Sequence, residues 1–245
     1  MSFPSSGQNE EQVIGQRPDF CRIVLIGENG SGKTALITRF IFNTFPPPST
    51  TTPLLSRLRT QRLVYSHPCI IELVEAEPRE ESGSDGNGDV VKEVGFADVV
   101  VVCYSVCGLR WHPVHRDRKE NTALQLPLEG VKRLGGLVRG VIQDSEGDGE
   151  GGVMMVLGCQ RDREDLRIVS EEEGRELARE WGCEFAEVEV ESGCEGVDAF
   201  IDTLVRGVRE RRRRRADVER IGKEVSVTGK IVGTAAGILE RILRR

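Results

Sequence analysis

Residues 27 to 34 read Gly-Glu-Asn-Gly-Ser-Gly-Lys-Thr and satisfy G-x-x-x-x-G-K-[ST] at every specified position. The flanks are those the motif requires. Cys21–Ile26 (CRIVLI) is a short apolar run that predicts a buried strand. Lys33–Asn43 (KTALITRFIFN) puts Leu36 and Phe40, with Ile37 and Ile41 on the adjacent row, at helical spacing. A strand that enters a glycine-rich turn and leaves as a helix points successive backbone N–H groups inward, and the helix N-terminus adds partial positive charge. Glu28, Asn29, Gly30, Ser31, Gly32, Lys33 and Thr34 are therefore the expected phosphate-contacting residues. Lys33 would reach the terminal phosphates, and the Thr34 hydroxyl would ligate Mg²⁺, a hard cation that prefers oxygen. The motif specifies a polyphosphate tail, not a base or a reaction. No catalytic residue is assigned.

The rest of the chain alternates strands and helices. Leu54–Tyr65 and Pro68–Val74 read as two strands, and Val99–Val106 (VVVVCYSV) as a central strand apolar on both faces. Ala123–Ile142 reads as a helix interrupted at Gly135-Gly136, and Val153–Leu157 as another buried strand. Ser170–Trp181 is a helix opened by a Ser170/Glu173 capping box, with Trp181 in its core-facing stripe. Glu184–Val190 is a final strand, and Gly196–Arg209 a final helix. Glu75–Gly95, which contains SGSDGNGD, reads as a loop or insertion, and Ser145–Gly152 as another loop. This order predicts an α/β fold of three layers: a mostly parallel six-stranded sheet with helices on both faces. Residues 1–19 read as a disordered N-terminus, 20–210 as the nucleotide-binding domain, and 211–245 as a basic C-terminal tail. With 38% hydrophobic residues and 28 glycines in 245, one modest core is expected. No apolar run is long enough to span a bilayer, and residues 1–16 lack a secretory h-region. The seven cysteines form no C-x-x-C, and the three histidines are scattered. These patterns disfavour a membrane-spanning protein, a disulfide scaffold and a zinc finger, and place the chain in a reducing compartment.

GENGSGKTALITRFIFNTF resembles the start of a Ras-type small GTPase, and the layout of this P-loop GTPase fold continues from Cys21 to about Arg213. VVVVCYSV resembles the family's central strand, VMMVLGCQRD the strand leading to its base-reading N-K-x-D motif, and VDAFIDTLVR its last helix. The resemblance implies GTP/GDP and Mg²⁺ as cofactors, with effector or regulator proteins as partners. It places Phe45 against the guanine. It places Thr52 as a second Mg²⁺ ligand, with Thr50 and Thr51 as neighbouring alternatives. Asp162 would accept from the N1–H and N2–H₂ edge of guanine, which adenine cannot supply. Cys159 and Gln160 replace the family's Asn and Lys beside it, with Gln160 able to lie flat on the ring. In Glu189-Val190-Glu191, only the Val190 backbone N–H could reproduce the S-A-K contact.

The chain departs from the pattern at the second switch. Reading D-x-x-G along Ile71-Glu72-Leu73-Val74-Glu75-Ala76-Glu77-Pro78 puts Val74 at the aspartate, Glu77 at the glycine and Pro78 at the catalytic glutamine. Glu75 is then a poor acidic substitute one position off. Asn29 sits where an activating arginine would enter. Two readings stand: a GTP-binding signalling switch with weak intrinsic hydrolysis, or a catalytically inactive pseudo-GTPase acting as a scaffold. A nucleotide kinase or ATPase is disfavoured because Asp162 fits a guanine reader and no lid-like arginine pattern is evident.

Charge is unevenly spread. The formal net charge is −6, but residues 206–245 carry +8 and the remainder −14. Arg211–Arg215 are consecutive, and Ile231–Arg245 (IVGTAAGILERILRR) has a basic amphipathic pattern of interfacial type. The chain ends Leu243-Arg244-Arg245, so no prenyl anchor is expected. An anionic membrane surface is one partner this tail would fit. Nuclear import, RNA contact or packing back on the domain are the alternatives, with nucleic acid the less favoured partner. The expected location is cytoplasmic, or peripheral at the inner face of the plasma membrane or an internal membrane.

Overall fold

The computed structural model describes residues 17–45, 57–76, 88–107, 127–145, 152–161 and 164–228. Thr50, Thr51, Thr52, Glu77, Pro78, Asp162 and the amphipathic 231–245 segment lie outside the described residues. The chain divides into two compact units, Met1–Asp202 and Thr203–Arg245.

The first unit is built on one six-stranded sheet in the order β2-β3-β1-β4-β5-β6. Its strands are β1 (Asp19–Ile26), β2 (Arg57–Val64), β3 (His67–Ala76), β4 (Val99–Ser105), β5 (Val153–Cys159) and β6 (Glu184–Val188). Only the β2–β3 pair is antiparallel. That pair is joined by a two-residue turn in which Tyr65 and Ser66 both have positive φ (50° and 64°), the primed geometry whose twist matches its strands. The helices are α1 (Lys33–Phe42), α2 (Gly88–Gly95), α3 (Pro127–Ser145), α4 (Glu171–Trp181) and α5 (Glu195–Thr228).

Strand alternation sorts the core into two layers. Val24, Ile26, Val74, Val100, Val102 and Val156 face the buried residues of α2, α3 and α4. The opposite parity, including Ile23, Leu25, Ile71, Leu73 and Val101, is also fully buried. Here α1 packs on β2 and β3 with Leu36, Ile37 and Phe40 inward. The three-layer α/β architecture expected from the element order is what the chain adopts.

Three local expectations are corrected. Glu75–Gly95 is not a continuous loop: β3 extends through Ala76, and α2 occupies Gly88–Gly95. The i, i+4 pair Val90 and Val94 is buried, which gives α2 an apolar face despite the glycines around it. Gly135-Gly136 does not interrupt α3. A Cβ on Gly135 would overlap the Trp181 ring, so the glycine is where α4's indole seats against α3. The last helix does not stop near Arg209 but runs to Thr228. Arginine is a strong helix former, so Arg211–Arg215 continue the helix rather than break it.

α4 begins as expected. The Ser170 side chain accepts from the Glu173 N–H, and the Glu173 carboxylate accepts from the Ser170 N–H. That backbone hydrogen bond, followed by the one from the Ser170 hydroxyl, holds the Glu173 carboxyl below the ordinary glutamate range. Gly182 closes the helix in the left-handed conformation.

In the second unit, the described residues continue α5 from Thr203 to Thr228, with exposed pairs Arg206–Glu210 and Arg220–Asp217 at 4.0 and 3.9 Å. Five consecutive residues at about 100° each encircle a helix, so Arg211–Arg215 present no single face.

Candidate functional site

Open α/β sheets bind ligands beyond the carboxyl ends of their strands, where the chain order reverses. Here that point lies between β1, β3 and β4, and the Gly27–Thr34 loop leaves β1 into it. Gly30 and Gly32 have φ of 83° and 96°, the left-handed region that glycine enters without penalty. Gly32 is the N-cap of α1, and no side chain caps that helix. The first-turn N–H groups thus have no intrahelical acceptor by geometry. The loop is packed tightly: a Cβ on Gly32 would sit 2.7 Å from the Cys159 Cβ, and one on Gly27 would overlap the Cys103 carbonyl.

Lys33 is 2% exposed. Its Nζ donates to the carbonyls of Gly27 and Glu28, both at 2.9 Å, and to Ser31 Oγ at 3.3 Å. Glu75 Oε1 lies 4.0 Å away. Thr34 Oγ1 donates to the same carboxylate at 2.8 and 3.0 Å. An ammonium, a hydroxyl and a carboxylate therefore converge at the end of the loop.

This cluster corrects the register expected for the second switch. Val74 does not occupy the acidic position; it is buried in the core beside Val24 and Val100. Strand alternation turns Glu75 toward α1, and Glu75 is the carboxylate at Thr34. The signal was in the sequence: Glu72 and Glu75 are three apart, so they must lie on opposite faces of β3. Glu72 faces α2 and pairs with Arg59 and Arg22. Shifting the frame by one puts Pro78 at the glycine and Arg79 at the glutamine.

The donor chemistry fits Mg²⁺ with a polyphosphate. Mg²⁺ in phosphate sites takes one or two protein oxygens, with phosphate and water completing its shell. Thr34 and Glu75 supply these. Among the described residues no group of three or more His, Cys, Asp or Glu side chains could hold a metal on its own.

The other loop residues divide by direction. Asn29 is exposed, and Ser31 is 2% exposed. Glu28 turns away toward α3: a Cβ on Gly130 would overlap its carboxylate, and Arg133 Nη2 lies 3.8 Å from its Oε1. Its negative charge is thus directed at α3 rather than at the loop amides.

The residues expected at the base come from separate elements. Cys159 is fully buried, packed under Gly32 beside Cys103. Burial, then the neighbouring Cys159 thiol, pushes the Cys103 thiol well up, so it stays protonated near Lys33. Gln160 has φ of 68°, and its side chain is tethered: Nε2 donates to the Gly30 carbonyl at 3.3 Å, and Oε1 accepts from Ser105 Oγ at 2.8 Å. It therefore braces the Gly27–Thr34 loop against β4. Ser105 was not anticipated. The Val190 side chain is buried, which leaves only its backbone for a ligand. Phe45 is 38% exposed, with the Arg39 guanidinium 5.9 Å from its ring centroid. Arg39 also donates to the Val190 and Glu191 carbonyls, and nothing in the motif pattern singled it out.

A strand, a glycine-rich loop and a helix on this six-stranded, mostly parallel sheet give an α/β architecture consistent with a P-loop GTPase fold. The chain matches no protein-family model. It is similar to the protein ras-2 of Neurospora crassa, 26% identical over 208 residues, 82% of this chain and 84% of the relative. It is equally similar to Ras-like protein 1 of Pyricularia oryzae, 26% identical over 85% of this chain and 83% of the relative. The GTP-binding protein Rit2 of Mus musculus is 25% identical over 81% of this chain. Relatives named Ras-like over most of the chain, together with this fold, support a Ras-like small GTPase. No described helix is long and apolar enough to cross a membrane.

Proposed function

We propose that this chain binds GTP and GDP with Mg²⁺ as a Ras-like signalling switch whose own hydrolysis is weak. The observation that carries the reading is the Lys33–Glu75–Thr34 cluster at the end of a glycine loop of full motif. Lys33, held by two loop carbonyls, would direct its charge at the terminal phosphates. Thr34 and Glu75 would hold Mg²⁺, with Thr52 as a further candidate ligand. Bound magnesium supplies neutralisation of phosphate charge. At the base end, Asp162 would read the guanine edge, Phe45 would pack against the ring, and the Val190 N–H would meet the base. Cys159 and Gln160 act from beneath, by fixing the loop.

Weak turnover follows from the corrected register. Pro78, at the position of the γ-phosphate amide, has no N–H to donate. Arg79, at the glutamine position, has no acceptor with which to orient an attacking water. The same loss favours the second reading, a pseudo-GTPase whose GTP and GDP forms differ little.

Calorimetry with GDP and GTP in Mg²⁺ tests the binding. Wild type should bind, and Lys33→Ala should weaken binding by about 10³-fold, near 4 kcal/mol. Absence of heat with either nucleotide overturns the proposal. Single-turnover hydrolysis should be slow, and fast partner-free phosphate release would contradict the impaired chemistry. Arg211–Arg215, with the amphipathic segment beyond them, would contact an anionic membrane at about 1 kcal/mol per basic residue near the surface. Removal of 206–245 should reduce pelleting with anionic liposomes.

A further inference from the structure

Arg39 lies in the last turn of α1, the helix that starts at Lys33 and Thr34. Its guanidinium makes contacts to two other segments. Nε donates to the Val190 carbonyl at 2.8 Å, and Nη2 to the Glu191 carbonyl at 2.6 Å. Nη1 reaches the Asn43 carbonyl at 3.4 Å, and the group lies 5.9 Å from the centroid of the Phe45 ring. Asn43 is the left-handed C-cap of α1, and its N–H donates back to the Arg39 carbonyl at 2.9 Å. One side chain therefore ties together the loop after β6, the exit of α1 and the aromatic ring.

We propose that Arg39 is a positioning residue that holds the base-contacting loop and Phe45 in place relative to the phosphate cradle, and so sets how long a nucleotide stays bound. The inference rests on the nucleotide-binding reading above. Its physical basis is the fork of the guanidinium. Adjacent carbonyls caught by one planar donor set fix two successive peptide planes, so the Glu191 and Ser192 N–H groups trans to them point away from Arg39, and the neighbouring Val190 N–H is held through its own Cα. The side chains of Glu189-Val190-Glu191 differ from the S-A-K that the resemblance places there, and Arg39 anchors the loop's backbone at two successive carbonyls. Because α1 is a rigid rod of about 1.5 Å per residue, the six positions from Lys33 to Arg39 transmit the placement of one end to the other. Lysine cannot replace it, since a point donor cannot span both carbonyls in plane.

The test uses the full chain and a fluorescent N-methylanthraniloyl GDP, with inorganic tripolyphosphate as a base-free competitor. Arg39→Met should raise the nucleotide dissociation rate about tenfold, and Arg39→Lys should not restore it, while tripolyphosphate affinity stays at the wild-type value. Arg59→Gln, which removes a partner of the buried Glu72 on the opposite layer, should lower the melting temperature but leave the dissociation rate unchanged. Unchanged release in both Arg39 variants overturns the proposal. So does a parallel loss of tripolyphosphate and nucleotide, which would make Arg39 a support of α1 alone. Failure of wild type to bind the fluorescent nucleotide overturns the binding reading itself and with it this inference.

Discussion

The two ends of the candidate site are built by different means. The phosphate end comes from eight contiguous residues and one carboxylate from the adjacent strand. Its geometry is backbone geometry: positive-φ glycines, an N-terminus without a side-chain cap, and Lys33 locked onto its own loop carbonyls. The proposed base end would draw on Phe45, the Cys159–Arg161 segment, the loop of Val190 and Glu191, and Arg39, which are separated by up to 152 positions in sequence. The side chains at this end act as tethers: Gln160 to Gly30 and Ser105, and Arg39 to Val190 and Glu191.

That contrast gives graded expectations. The largest effect after loss of Lys33 should come from Glu75→Gln. The amide keeps an acceptor for Thr34 but loses the charge, so nucleotide affinity in Mg²⁺ should fall about 10- to 100-fold. With EDTA the two proteins should bind alike; a difference that persists without metal would show that Glu75 acts through the loop instead. Gly32→Ala comes next. A left-handed φ and a contact at 2.7 Å to Cys159 should cost about 2–4 kcal/mol, lowering the melting temperature roughly 5–15 °C. A stable, binding-competent alanine variant would mean that the cradle is looser than its packing indicates.

The smallest effect lies away from both ends. Ser170→Ala should cost about 1 kcal/mol without changing nucleotide affinity. Because the Ser170 N–H keeps Glu173 ionised to lower pH in the folded chain, the carboxylate's contribution is complete above the ordinary glutamate range and fades as pH falls through the lowered value. The denaturation difference between Glu173→Gln and wild type should therefore shrink on acidification and be constant from neutral pH upward.

What the sequence disclosed follows the same division. The P-loop motif, both its flanks, the two strands that became β2 and β3, and the α4 capping box were legible because each rests on residues close together in the chain. Glu75 was seen but placed one position out of register, since counting along a motif ignored which face of β3 each residue must occupy. α2 was hidden by the glycines around a short Val90/Val94 face, and Gly135 read as an interruption because its meaning depends on Trp181, 46 positions away. Arg39 carried no motif at all: its role exists only once β6 has been laid beside β5 and the following loop returns to α1.

The most direct measurement is the identity of the nucleotide released from the intact purified chain on denaturation, read by chromatography and mass spectrometry. A guanine nucleotide in near-stoichiometric amount is the predicted result. An adenine nucleotide, or a chain that holds none and takes up neither GDP nor GTP with Mg²⁺, would contradict the account.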